Sequence, residues 1–386
     1  RSGSVTGVQT CALPISVAGK AITEAFYHEP PRHSYFMGCS TGGRQALVSA
    51  QRFPRDFDGI IAGGAVVREA GTAMDFIWNL TRMAPQGNQP LFSQADLQLL
   101  HDAALAASDM DDGLRDGIIG NPQASEFDPL RLVCAKGQTT ACLTQAQARA
   151  AQQIYSGPMN ARGEKAHRTG GLQPGSELDW SIFVAPPGAS APAERSGVDT
   201  TRYMLSDWGS SWQAGDFDFE RDYQRMGEAE ALYSAANPDL RTFQAAGGKL
   251  MIYQGWADPI IAPMNSVDYY ETVEKVMGGR AATQDFVRLF MVPGMGHCFG
   301  GPGAFAIDYI SYLEAWVEQG KPPDALRAAH WAGDHASPSM IRSFPMDRAA
   351  EVFIRPVFPY PLQARYQGTG DPGAASSFIA VDPAKP

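Results

Sequence analysis

The sequence predicts an α/β fold, a parallel sheet interrupted by one long, mostly helical insertion. Three features predict it. Short apolar runs bounded by glycine occur before Arg68 and again after Gly247, but are scarce between about Arg68 and Ala245. Each run is followed by a stretch of helical spacing, the strand–turn–helix rhythm of βαβ units. The runs are apolar at successive positions, as strands covered on both faces must be.

Taken in order, Val17 to Phe26 has the spacing of a helix, and Ser34 to Gly38 reads as a buried strand. A tight turn at Cys39–Gly43 leads into a helix from Arg44 to Arg52, which Pro54 ends. Gly59–Gly63 is a second strand. Within the insertion, Gln94 to Ala107 and Leu143 to Tyr155 read as helices, and the proline-rich stretch 185–192 as a surface loop. The rhythm then returns, with strands at Lys249–Gly255 and Phe286–Val292 and helices at Asn265–Met277 and Ala304–Glu318. Arg1 to Ile15 has neither the basic start nor the sustained apolar core of a signal peptide, and is expected to be a non-native leader.

Composition excludes several classes of function. A formal charge of -10 argues against a nucleic-acid partner, which needs a basic face. No apolar run approaches the roughly 20 residues that span a bilayer, so no membrane partner is expected. None of the five cysteines forms a CxxC pair, which leaves zinc or thioredoxin-type chemistry without support. With Cys11 assigned to the leader, four cysteines remain, enough for two disulfides in an oxidising compartment.

Chemistry concentrates at three places. Gly38-Cys39-Ser40-Thr41-Gly42 fits G-x-S-x-G between a predicted strand and helix, the context of a nucleophile elbow. Small residues are expected on both sides of Ser40 because the turn is sharp, and the Thr41 N–H can serve an oxyanion. A serine hydroxyl needs a base, and a base needs an acid to fix its tautomer. His297 follows a strand on a glycine-rich loop, and Asp258 follows the strand Lys249–Gly255. The chain order Ser40, Asp258, His297 is that of the α/β-hydrolase fold, with the insertion as its lid. Cys39 precedes Ser40 and Cys298 follows His297, so a disulfide between them would pin the two loops together. The expected division is a leader at 1–15, hydrolase parts at 16–67 and 246–386, and a lid at 68–245.

These segments resemble the tannase and feruloyl esterase family, together with Phe57–Gly63, Gly255–Asp258, Arg288–Cys298 and the tail Arg355–Pro361. The resemblance implies a carboxylic-ester hydrolase acting on small aromatic or phenolic esters through an acyl-enzyme, with no organic cofactor, and the expected disulfides place it as secreted or periplasmic. It also implies a structural calcium ion in the lid. The loop Asp109–Ile119 gathers four aspartates between glycines, which suits a cation that takes six to eight oxygens. Carried over, the ligands are the side chains of Asp109, Asp112 and Asp116 and the carbonyls of Leu114 and Ile118. An acidic surface loop is the alternative. Cys134 and Cys142 are expected to pair locally in the lid, with two buried free thiols as the alternative.

Trp180, Phe183, Trp208 and Trp212 are candidates for a substrate slot, or equally for lid core. Family domains carry strands and an oxyanion donor before the nucleophile, so this chain as written is expected to fold poorly and turn over weakly. Peptidase or lipase action, or a non-catalytic phenolic- or carbohydrate-binding relic, are the rival readings.

Overall fold

The computed structural model describes residues 7–85, 89–165, 170–184, 195–204, 211–331 and 350–383. Four strands form a wholly parallel sheet in the order β1 (Tyr35–Cys39), β2 (Gly59–Gly63), β3 (Lys249–Gly255), β4 (Val287–Val292). Register pairs Cys39 with Gly63, Gly63 with Tyr253, and Gly255 with Val292. Parallel pairing in that register gathers the carboxyl ends of all four strands along one edge, the usual place for a site in an open α/β sheet.

The sequence of β2 explains why the sheet is buried on both sides. Ile60 points into a core with Leu47, Leu250, Ile252, Phe243 and Tyr270, while Ile61 points into another with Met251, Tyr253, Phe290, Leu313 and Trp316. The first layer is covered by helices α2 (Thr41–Arg52) and α6 (Met264–Val276), the second by α7 (Tyr309–Gln319). Helix α7 starts five residues later than spacing alone predicts. Asp308 caps it by accepting from Ser311 N, and Ala306 bridges to Ala329 instead of joining the helix.

Between β2 and β3 the chain builds the helical lid. Its longest helices are α3 (Glu69–Met83), α4 (Gln94–Ser108) and α5 (Gln145–Ser156). Capping boxes start two of them, Ser93 with Asp96 and Thr144 with Gln147, which is why α5 begins at Gln145 rather than Leu143. A core of its own holds the lid, with Leu97, Leu100, Ile154, Trp180 and Phe183 among its buried residues.

Two features lie outside the sequence expectations. Helix α1 runs from Gly7 to Tyr27, back into the stretch read as leader and through Pro14. After α7 the chain adds two antiparallel pairs, β5 (Leu326–Trp331) with β6 (Glu351–Val357) and β7 (Gln363–Tyr366) with β8 (Phe378–Val381). Among the described residues no helix is long and apolar enough to cross a membrane.

Candidate active site

Ser40 joins β1 to α2 with φ 62° and ψ -122°, a conformation that L-residues adopt only under constraint. The constraint is one-sided. A Cβ on Gly38 would lie 2.4 Å from Gly42 O, so only glycine fits there, whereas a Cβ on Gly42 would meet nothing within 4 Å. The second tight position is Gly43, whose Cβ would lie 2.4 Å from Gly63 O where α2 crosses β2. The expectation of crowding on both sides of the serine is thus corrected: α2 must approach the sheet at Gly43, while Gly42 faces open space. Ser40 N donates to Gly63 O at 2.9 Å, and Thr41 is the first residue of α2, so its amide has no intrahelical acceptor.

Asp258 lies just past β3 and is 0% exposed. Its Oδ1 accepts from the amides of Ile260 at 2.8 Å and Ile261 at 2.9 Å. Its Oδ2 accepts from Gln254 Nε2 at 2.8 Å and from His297 Nδ1 at 2.9 Å. A carboxylate only accepts, so the ring proton sits on Nδ1 and Nε2 is left to act as base. Gln254 is held in turn by Ser266, whose hydroxyl donates to Gln254 Oε1 at 3.0 Å. Burial pulls the His297 pKa down, but the charge of Asp258 and the hydrogen bond to it outweigh that, and the net shift is upward.

The loops after β3 and β4 are tied together by Trp256 N to Val292 O and Ala257 N to Met295 O. A Cβ on Gly255 would lie 2.1 Å from Met295 O, so this contact demands glycine. Cys39 and Cys298 form a disulfide with Cα atoms 5.9 Å apart, which fixes the neighbours of Ser40 and His297 to each other. Cys298 also has a positive φ, 69°. Gly64, absent from the sequence expectations, closes the group. A Cβ there would lie 3.2 Å from Cys39 Sγ and 3.5 Å from both Asp258 Oδ2 and His297 Cε1, at φ 44°. The Ser40 hydroxyl makes no hydrogen bond to the described residues.

A cavity of about 880 Å³ adjoins His297 and Pro259 and is roofed by lid residues that include Phe92, Leu97, Asp179 and Ile182. Trp180 and Phe183 do not line it. The segment Glu177–Phe183 is a 3₁₀-helix, in which residues three apart share a face, and Glu177, Trp180 and Phe183 are all 0% exposed in the lid core. Trp212 packs half-buried on a separate cluster with Met74, Ile77 and Phe217. Trp208 lies outside the described residues.

Cys134 and Cys142 form the second disulfide, eight residues apart in sequence. In the acidic loop, Asp109 Oδ1 accepts from the amides of Asp116 and Gly117, and Asp112 Oδ1 accepts from Leu114 N. Asp116 Oδ2 pairs with Arg355 Nη2 at 2.6 Å. Burial, with the charges of Asp116 and Asp109 adding to it, pushes Asp112 up to about 6. Such crowding is what a divalent cation relieves. Yet among the described residues no three His, Cys, Asp or Glu side chains are arranged to hold a metal, because the loop closes on its own amides and on Arg355.

The family description "Tannase and feruloyl esterase" matches residues 11–381. The chain belongs to this family. An uncharacterized esterase of Xanthomonas campestris pv. campestris is 34% identical over 97% of this chain and 70% of its own length. The mono(2-hydroxyethyl) terephthalate hydrolase of Piscinibacter sakaiensis is 32% identical over 96% of this chain and 67% of its own. This tannase and feruloyl esterase family chain therefore spans about two thirds of the length of those relatives. The crystal structure of feruloyl esterase B from Aspergillus oryzae superposes with a TM-score of 0.81 at 27% identity, covering 95% of this chain and 72% of that one. The fold is that of an α/β-hydrolase, and the chain is a carboxylic-ester hydrolase of the tannase and feruloyl esterase type.

Proposed function

We propose that the chain hydrolyses small aromatic or phenolic esters through an acyl-enzyme on Ser40. One observation carries the reading: His297 donates from Nδ1 to a buried, fully bonded Asp258, while the Cys39–Cys298 bridge holds that histidine's loop against the Ser40 turn. His297 Nε2 takes the Ser40 proton as the hydroxyl oxygen bonds to the ester carbonyl carbon. The Thr41 N–H supports the developing oxyanion. When the C–O bond to the alcohol breaks, His297 returns the proton to the leaving oxygen. Water, deprotonated by the same nitrogen, then cleaves the acyl-enzyme and frees the acid. The largely apolar cavity supports an aryl acyl group as substrate.

Ser40→Ala tests this directly. It is expected to abolish hydrolysis of an aromatic methyl ester and labelling by a fluorophosphonate, with an unchanged circular dichroism spectrum; retained turnover would reject the assignment.

A structural calcium ion is part of the same proposal, with the side chains of Asp109, Asp112 and Asp116 and the carbonyls of Leu114 and Ile118 as its ligands; binding would require Asp116 to leave Arg355 and the loop to open from its own amides. The ion would order the lid and takes no part in bond cleavage. The two disulfides support a secreted or periplasmic protein.

A further inference from the structure

The only acidic side chain among the described residues lining the cavity is Asp179. It rides on a rigid platform. Its own amide donates to Ser176 O at 3.1 Å, and Trp180 Nε1 donates to Ser176 Oγ at 3.0 Å. Two residues before it, Glu177 is locked by Tyr155 OH at 2.7 Å, His101 Nδ1 at 2.9 Å and the amide of Gly175. The three-residue period that buries Glu177, Trp180 and Phe183 turns Asp179 the other way, exposed to the cavity solvent. Its carboxyl has no hydrogen-bond or ion-pair partner among the described residues. Enclosure by protein pushes its pKa up, the charge of His101 opposes this, and the charge of Asp258 adds to it.

A fixed carboxyl with unused acceptors, in a cavity walled by Phe92, Leu97, Ile182 and Val184, is a recognition group. Two oxygens on one carbon match two adjacent hydroxyl donors on an aromatic ring. The same group disfavours a substrate that brings a second carboxylate into the cavity beside it, since the two like charges repel. We propose that Asp179 is a specificity-determining residue that binds the ring hydroxyls of phenolic esters and excludes esters whose acyl group carries a free carboxylate. This rests on the esterase reading above and names its substrate class.

The test compares wild type, Asp179→Asn and Asp179→Ala on three methyl esters: 3,4-dihydroxycinnamate, unsubstituted cinnamate and the monoester of terephthalic acid. Removing a charged acceptor from a hydroxyl donor is expected to lower kcat/KM by about 10- to 100-fold. Asp179→Ala should therefore cut the dihydroxy-to-unsubstituted ratio by at least tenfold and raise the carboxylate-to-unsubstituted ratio by several-fold. Asp179→Asn keeps an acceptor without the charge, so it should keep part of the first ratio and show the full rise in the second. Ratios unmoved in both variants would overturn the assignment of Asp179 while leaving the esterase reading intact. Fluorophosphonate labelling of Ser40 reports on that reading separately. Should wild type neither label nor cleave any ester, calorimetric binding of 3,4-dihydroxybenzamide against terephthalamate decides the Asp179 proposal alone, with the same preference expected and its absence overturning it.

Discussion

Replacing Cys39 and Cys298 together by alanine removes a crosslink that spans 259 residues of sequence. Chain-entropy arguments give such a closure about 5–6 kcal/mol, against about 2.5 kcal/mol for the Cys134–Cys142 link, which spans eight residues. With unfolding entropy near 2 cal/mol/K per residue, these become melting-point losses of about 7 °C and about 3 °C for a chain this long. The long bridge is also expected to act on chemistry. Ser40 at φ 62° adjoins one end of it and Cys298, its other end, is itself at φ 69°, and strained residues persist only where their surroundings over-determine them. Differential scanning calorimetry and the rate of fluorophosphonate labelling should be measured on both double variants. The expected result is the larger melting loss and at least a tenfold slower labelling for the Cys39/Cys298 variant, with labelling unchanged for the lid variant. Equal melting losses with equal labelling rates would refute the idea that the bridge holds the nucleophile and base in place.

Three further outcomes follow from the site. Because His297 ends above its ordinary 6.5, kcat/KM should rise with pH along a limb centred above 6.5, and Asp258→Asn should move that limb down while greatly lowering kcat; a limb that stays put would count against the pairing. Asp112 has its folded pKa raised from 3.8 to about 6, so without calcium the folded state should lose on the order of 1–2 kcal/mol, after screening by solvent at this partly exposed carboxyl, as pH rises from about 4 to about 6, and added calcium should restore it. A melting temperature that ignores both pH in that window and calcium would remove the metal from the account. Gly64→Ala should cost about 1–2 kcal/mol through its positive φ and slow turnover further by pressing on His297, which steady-state kinetics and a thermal melt would separate.

How much of this could be read from the amino-acid string differs by element. The strands β1 to β4 were legible because each is a continuous apolar run cut off by glycine or a turn, and the loops after three of them carry the hydroxyl, carboxylate and imidazole. The proximity of Cys39 to Cys298 was legible only because each adjoins a residue with a chemical role. Gly64 and Gln254 were not legible, since one acts by lacking a side chain and the other through a contact four residues along its own turn. Trp180 and Phe183 looked suited to a slot because aromatic content says nothing about which face a 3₁₀-helix buries. The pairs β5–β6 and β7–β8 were missed because their polar and proline positions, such as Arg355 and Pro356, hide the alternation.

Parallel neighbours such as β2 and β3 need a crossover of a dozen residues or more, with no upper limit set by the sheet itself. Residues 64–248 are that crossover, so the roof over the cavity is, topologically, an interchangeable fitting clipped between two fixed rails. Its seams are glycines, Gly64 where it departs beside Cys39 and Gly248 where it returns against Phe243. Substitutions confined to the roof would change what the cavity admits without touching the Asp258–His297 pair beneath it.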